Sequence, residues 1–331
     1  MMTPSYQTRS VYVLVVAVAL CVAAPITARV LSFGGSDLLT PRLSIGDCDG
    51  DGVIDAAMAG AVSGRVDEAA SLRSARLDWY AGPGTGAVTS AELHVVNDLA
   101  HADLDGDGRD EIIVVGANTW RILQLEGGQL RQHAAGNSML PLWRVAAGDV
   151  DGDGRDEVAL VTLERGLTDE VPRATIQLVA VDMTTAGAGL HSLDTWDVAA
   201  HIGDLCFVSS PEGAVLIVET GAEEVGGRLH RLSVAGGVVR EQTSILTGAD
   251  RLRILSLSAV AVHRGTLLSL ADVSGRVRVV EWQGDVLRRH AVAPLPGSGA
   301  SLARFAGEDV QMWLAPLRPG DPLGWWSPVD F

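Results

Sequence analysis

The sequence predicts an all-β fold, and three observations carry that prediction. A ten-residue segment rich in aspartate and glycine occurs three times: Gly46-Asp-Cys-Asp-Gly-Asp-Gly-Val-Ile-Asp55, Ala102-Asp-Leu-Asp-Gly-Asp-Gly-Arg-Asp-Glu111 and Gly148-Asp-Val-Asp-Gly-Asp-Gly-Arg-Asp-Glu157. Each copy runs straight into an apolar stretch, Ala56-Ala-Met-Ala59, Ile112-Ile-Val-Val115 or Val158-Ala-Leu-Val161, too short for a helix and suited to a buried strand. The rhythm then continues without the acidic segment, in Ala214-Val-Leu-Ile-Val218, Thr266-Leu-Leu-Ser-Leu270 and Asp309-Val-Gln-Met-Trp-Leu314. Taking Asp55, Glu111, Glu157, Ala214, Thr266 and Asp309 as equivalent points gives spacings of 56, 46, 57, 52 and 43 residues. Four short strands in about 40 to 50 residues make one propeller blade. Six four-stranded blades best fit the chain, and five or seven remain compatible with the spacing.

Taken in order, the elements begin with a targeting segment. Arg9 precedes an apolar run from Val11 to Ala24, and Pro25 and Ile26-Thr27-Ala28 follow it. This reads as a helical signal peptide over residues 1–28 with cleavage after Ala28, which implies a secreted, extracellular or periplasmic protein. The alternative is an uncleaved membrane anchor at residues 11–24, although a bilayer span needs about 20 apolar residues. Residues 29–331 form the propeller. Its first blade starts near Leu38 and its last, from Asp309 to Phe331, is incomplete. A strand at Val30–Phe33 would supply the missing piece and close the ring, removing an exposed sheet edge. Arg121–Ala134 and Arg278–Ala291 resemble each other at a separation of 157 residues, and both read as β-hairpins turning at glycine.

The acidic loops have the form Asp-x-Asp-Gly-Asp-Gly-x-x-(Asp/Glu), with carboxylates at positions one, three, five and nine. Calcium takes six to eight oxygen ligands, and alternate carboxylates on a tightly turning loop can converge on one ion. Glycine at position six, which is Gly52, Gly108 or Gly154, permits the turn. Without a cation the crowded carboxylates would repel one another. An EF-hand loop begins identically but needs a glutamate at position twelve and flanking helices, whereas position twelve here is Met58, Val114 or Leu160.

This loop-then-strand unit resembles the FG-GAP or VCBS repeat of integrin-α-like propellers. Phe33-Gly34 precedes the first loop, Gly60-Ala61 follows it, and Gly116-Ala117 follows the second. The resemblance covers residues 45 to 165. It implies up to three calcium ions, held by Asp47, Asp49, Asp51, the Val53 carbonyl and Asp55 in the first loop. The second would use Asp103, Asp105, Asp107, the Arg109 carbonyl and Glu111, and the third Asp149, Asp151, Asp153, the Arg155 carbonyl and Glu157. Loops two and three depart from the family pattern in having glutamate at position nine with Asp110 or Asp156 beside it, so that either neighbour could coordinate. Gly203-Asp204-Leu205-Cys206 reads as a decayed fourth copy that keeps only its first acid. A bridge between Cys48 and Cys206 is compatible with an oxidising compartment, but matching segments of opposite blades disfavour it, because a disulfide needs Cα atoms within about 7 Å.

Composition narrows the function. All 25 basic residues are arginine against 41 acids, a formal charge of −16. Absence of lysine excludes Schiff-base and P-loop chemistry, and the charge argues against nucleic acid as a partner. No Asn-x-Ser/Thr sequon, zinc spacing or Gly-x-Ser-x-Gly elbow is present. His101 lies two residues before Asp103, close to an acidic loop, but no catalytic residue is expected, while propeller aromatics such as the eight tryptophans fill gaps between blades or stack on sugars. The expected function is a non-enzymatic, calcium-binding adhesion module for a protein or carbohydrate ligand. The alternatives are an extracellular polysaccharide-degrading enzyme with its site in the central channel, and a structural module tethered to the membrane by residues 11–24.

Overall fold

A strand that is apolar along its whole length must be covered on both faces, and the fold provides that cover by stacking sheets around an axis. The computed structural model describes residues 38–326, apart from 63–74, 83–86, 165–172, 185–188, 211–212, 222–226, 247–253, 263–264, 273–274, 284–285, 293–298, 305–309 and 316–323. Every described strand pairs antiparallel with its sequence neighbour. Blade 1 contains β1 (Leu38–Gly46), β2 (Asp55–Val62), β3 (Ala75–Tyr80) and β4 (Thr89–Leu93). Blade 2 contains β5 (Asp98–Ala102), β6 (Glu111–Gly116), β7 (Thr119–Glu126) and β8 (Gln129–Asn137), and blade 3 contains β9 (Leu142–Gly148), β10 (Glu157–Glu164), β11 (Arg173–Asp182) and β12 (Gly189–Val198). Blade 4 is β13 (His201–Ser210), β14 (Gly213–Gly221), β15 (Arg228–Ala235) and β16 (Val238–Leu246), and blade 5 is β17 (Ile254–Val262), β18 (Gly265–Asp272), β19 (Val277–Gln283) and β20 (Val286–Val292). The last sheet has three strands, β21 (Gly299–Arg304), β22 (Val310–Ala315) and β23 (Gly324–Trp326).

There are therefore five four-stranded blades, not six, and a three-stranded sheet in the remaining place. The strand expected at Val30–Phe33 and the signal segment lie outside the described residues. The repeat phase itself holds. Asp55, Glu111 and Glu157 open β2, β6 and β10, Ala214 and Thr266 are the second residues of β14 and β18, and Asp309 immediately precedes β22. The two similar hairpins are β7–β8 and β19–β20. No helix among the described residues is long and apolar enough to cross a membrane.

The apolar core is divided among the blade interfaces. Ala57, Leu77 and Trp79 of blade 1 meet Leu99, Ile112 and Val114 of blade 2, and Ile176 and Leu178 of blade 3 meet Leu216 and Leu232 of blade 4. Ala56, Met58 and Tyr80 pack with Ala315 of the three-stranded sheet, joining the last sheet to the first. This explains the burial gradient across a blade: β6 is buried at every residue, whereas the outer β8 is exposed at most of its positions. Burying about 25 cal/mol per Å2 of apolar surface makes these interfaces the main source of stability.

Inner strands β1, β5, β9, β13, β17 and β21 surround a central channel of about 210 Å3. Side chains at its wall bond from one inner strand to the next. Asp98 accepts the Val145 N–H at 3.1 Å, and Asp204 accepts the Leu257 N–H at 2.6 Å. Ser44 accepts from His101 N–H at 3.0 Å and Ser258 from Leu302 N–H at 2.9 Å.

The candidate metal centres

Loop 1 joins β1 to β2, loop 2 joins β5 to β6, and loop 3 joins β9 to β10, so the three lie at the same end of successive blades. Their glycines at positions four and six, Gly50, Gly52, Gly106, Gly108, Gly152 and Gly154, all have φ between 75° and 86°, where a side chain is strained. Position six was legible from the loop pattern, but position four carries the same requirement. These reversals bring carboxylates together. Asp47, Asp49 and Asp55 place ligand atoms within 4.8 Å of one another, as do Asp103, Asp105 and Glu111, and Asp149, Asp151 and Glu157.

The position-one carboxylate also gathers backbone donors. In loop 1, Asp47 accepts from the N–H groups of Gly50 at 2.8 Å and Gly52 at 2.8 Å, and Asp103 and Asp149 repeat the arrangement. The position-five residues Asp51, Asp107 and Asp153 are outside the three clusters. Each accepts the N–H of position seven, from Val53, Arg109 or Arg155, at 2.7 to 2.9 Å. Position seven thus contributes its N–H to the turn.

Position nine lies deepest, at the mouth of the second strand. Asp55, Glu111 and Glu157 are 1%, 4% and 6% exposed and each accepts the N–H of position two, from Cys48, Leu104 or Val150. Burial, reinforced by the charges of Asp49 and Asp47, pushes Asp55 up to about 7. Burial and the charges of Asp105 and Asp107 do the same to Glu111, also to about 7. Glu157 is raised for the same reason. Among the described residues no arginine forms an ion pair with any of the nine clustered acids.

This donor set fits calcium. Oxygens sharing an ion at 2.3–2.6 Å are at most about 5 Å apart, which the clusters satisfy, and hard oxygen donors without a basic counter-charge suit a hard cation. Positions one, three and nine would hold it, and a divalent ion would supply the neutralising charge that no arginine among the described residues provides.

The extra acids at position eight behave differently from ligands. Asp110 accepts the Asp47 N–H at 2.8 Å and returns its own N–H to the Asp47 carbonyl at 2.8 Å. Asp156 does the same to Asp103, at 3.0 Å and 2.8 Å. Between the two neighbours that sequence left open, Glu111 and Glu157 join the clusters while Asp110 and Asp156 grip the preceding blade.

Gly203-Asp204-Leu205-Cys206 is not a decayed loop. It lies inside β13, and Asp204 plays the part that Asp98 plays in β5: each binds the N–H of the next inner strand and faces an arginine of the preceding one, Arg42 for Asp98 at 4.0 Å and Arg144 for Asp204 at 3.6 Å. Cys48 and Cys206 consequently occupy different positions, one in a loop and one on the channel wall, and both are free thiols. Blade 4 turns from β13 to β14 by a short hairpin, with Ser210 paired to Gly213.

The channel does contain inward carboxylates and a histidine. Asp98 and Asp204 are committed to backbone amides and arginines, and burial with the Asp98 charge raises Asp204 to about 7 against the pull of Arg144 and Arg42. His101 is buried, lies 2.9 Å from the Ser44 hydroxyl through Nδ1, and is lowered by desolvation to about 3, so it stays neutral at physiological pH. One further constellation escaped sequence reading because its members sit on three strands. Thr220 Oγ1 and Glu241 Oε1 lie 2.8 Å from the two nitrogens of His230. Thr220 and His230 are buried, Trp196 stacks edge-on against the imidazole at 5.4 Å and Glu241 is exposed, so this hydroxyl, imidazole and carboxylate tie β14, β15 and β16 together from the interior to the surface. Trp79, Trp120 and Trp282 are buried, and Trp143 and Trp196 pack against the interface of blades 3 and 4. All five fill gaps between or within blades, which leaves no sugar-stacking row among them.

Comparison with known proteins agrees with this geometry. No curated protein sequence matches the chain. Among solved structures, BBS1N, crystallised in complex with ARL6DN and soaked with mercury, superposes with a TM-score of 0.51 at 14% identity, covering 90% of this chain and 95% of its own. The WD40 domain of Toxoplasma gondii coronin superposes with a TM-score of 0.52 at 12% identity, covering 91% and 85%. Residues 103–160, which span loops 2 and 3 and the strands between them, match the FG-GAP-like repeat family, and the fold in which that repeat sits is a β-propeller.

Proposed function

We propose that this chain is a calcium-stabilised β-propeller that is exported and presents a rigid face to a protein partner without catalysing a reaction. The observation that carries the calcium assignment is the convergence of three carboxylates in each of three in-phase loops, with no arginine among the described residues in an ion pair with them. A partner that is a protein is supported by the kind of fold: propellers joined through wide interfaces offer firm surfaces, and the similar BBS1N structure was solved in complex with ARL6DN. Export rests on Arg9 and the apolar run from Val11 to Ala24. Finding Arg29 at the mature N-terminus by mass spectrometry supports it, and an intact residue 11–24 segment in membranes supports an anchor instead.

The channel enzyme remains the second reading, because Asp98, Asp204 and His101 line the channel. General acid–base chemistry needs a group free to exchange a proton with substrate. Here the acids are bound to backbone amides and the imidazole to a serine. Calorimetric titration of the full chain with calcium tests the leading reading: saturable binding that is lost when Asp49, Asp105 and Asp151 are changed to alanine supports it, and no binding refutes it.

A further inference from the structure

Each clustered loop contains all its proposed ligands, yet in loops 1 and 2 the first ligand is also held from the next blade. Asp47 is gripped by Asp110 and Asp103 by Asp156, in both cases through two hydrogen bonds running in opposite senses. The contacts span 63 and 53 residues and cross from one blade to the one before it. The side chain beside each grip adds cover: Arg109 lies over Gly50 and Arg155 over Gly106, where a Cβ on the glycine would come within 3.0 and 3.3 Å of the arginine chain. Position eight of loop 1, by contrast, is Ile54. The extra acid is present in the two loops that follow a loop-bearing blade, and in neither case does it join the cluster of its own loop.

We infer that Asp110 and Asp156 are positioning residues for the metal site of the preceding blade, linking the three sites in series. The inference rests on the calcium reading above. Its physical basis is that position one supplies a ligand carboxylate and accepts two turn amides from the same residue whose N–H and C=O the next blade holds. Fixing that backbone before the ion arrives removes part of the ordering cost of binding. Because Glu111 and Asp110 are adjacent, an ion ordering loop 2 also orders the grip on loop 1, so filling one site favours filling its upstream neighbour.

The test uses the full chain with Asp49→Ala and Asp151→Ala, which leaves loop 2 intact, and reads its calcium affinity by calorimetry. In that background Asp156→Ala, a change in another blade, is expected to weaken calcium about tenfold, whereas Asp110→Ala, a change within loop 2 itself, should cost at most about twofold. Asp156→Asn keeps an oxygen that can accept the Asp103 N–H and should restore most of the affinity, which a general loss of stability would not do. Should Asp156→Ala fail to fold, Asp156→Glu, which displaces the carboxylate by one methylene, is read in its place. Calcium binding by loop 2 that is insensitive to residue 156, or that falls more with Asp110→Ala than with Asp156→Ala, overturns this inference alone. Absence of calcium binding by the unmodified chain overturns the metal reading and this inference together.

Discussion

Blades 1 to 3 and blades 4 and 5 are built from the same inner-ring contacts, yet only the first group carries acidic loops. Asp98 and Asp204 make the same pair of contacts, one in each group, so these inner-ring ties do not depend on the loops, whose own cross-blade grips are confined to blades 1 to 3. What differs is the crossing from first to second strand, long and acidic at 47–54, 103–110 and 149–156 but a short hairpin at β13–β14. Closure of the propeller and the acidic clusters are therefore separable features, the loops being an addition to one side of a ring that also closes through apolar interfaces and inner-strand polar ties.

The separation can be broken from either side. The largest effect is expected at the ring. Asp204→Ala leaves Arg144, whose side chain is 3% exposed, without its carboxylate, and should destabilise the protein by about 3 to 5 kcal/mol in denaturant unfolding, with calcium unable to compensate in blades 4 and 5. Leu216→Ala, at a fully buried site between blades 3 and 4, should cost about 2 to 5 kcal/mol by creating a cavity. An intermediate effect is expected at the loops: at about 100 times the dissociation constant one calcium ion should add about 2.7 kcal/mol, and Asp105→Ala with Asp151→Ala should remove most of the calcium-dependent rise in melting temperature.

A further effect concerns pH. Asp204 is raised from the usual carboxylate range to about 7, chiefly by burial. Between about 4 and about 7 the folded chain therefore holds a proton at this site that the unfolded chain has released. This site's contribution to stability falls as pH rises through that window and levels off above it. Calcium-free melting curves of Asp204→Asn, compared with the unaltered chain between pH 4.5 and pH 7.5 (about three units), should show a shallower fall with pH.

How much of this could be read from residues alone follows from where each signal resides. The strand phase was legible because the second strand of each blade is covered on both sides, which forces a continuous apolar run such as Ile112–Val115. The acidic clusters were legible because their carboxylates lie within nine consecutive residues. Asp204 was misread because Gly-Asp-x-Cys has the composition of a loop start, and its actual counterpart, Asp98, is identifiable only by the amide it binds on the next inner strand. The grips by Asp110 and Asp156 were invisible for the same reason, being contacts across 63 and 53 residues, though the restriction of that acid to loops 2 and 3 was an available clue. The blade count was overstated by one because spacing counts second strands, and β22 exists without a described fourth partner.

The separability of ring and loops is tested most directly by hydrogen exchange of the full chain with and without calcium. The account predicts that calcium slows exchange at the amides of loops 1 to 3 and at the starts of β2, β6 and β10, while β14, β15, β18 and β19 keep their calcium-free rates. Equal slowing in both groups of blades, or slowing confined to β13 through β20, would contradict it.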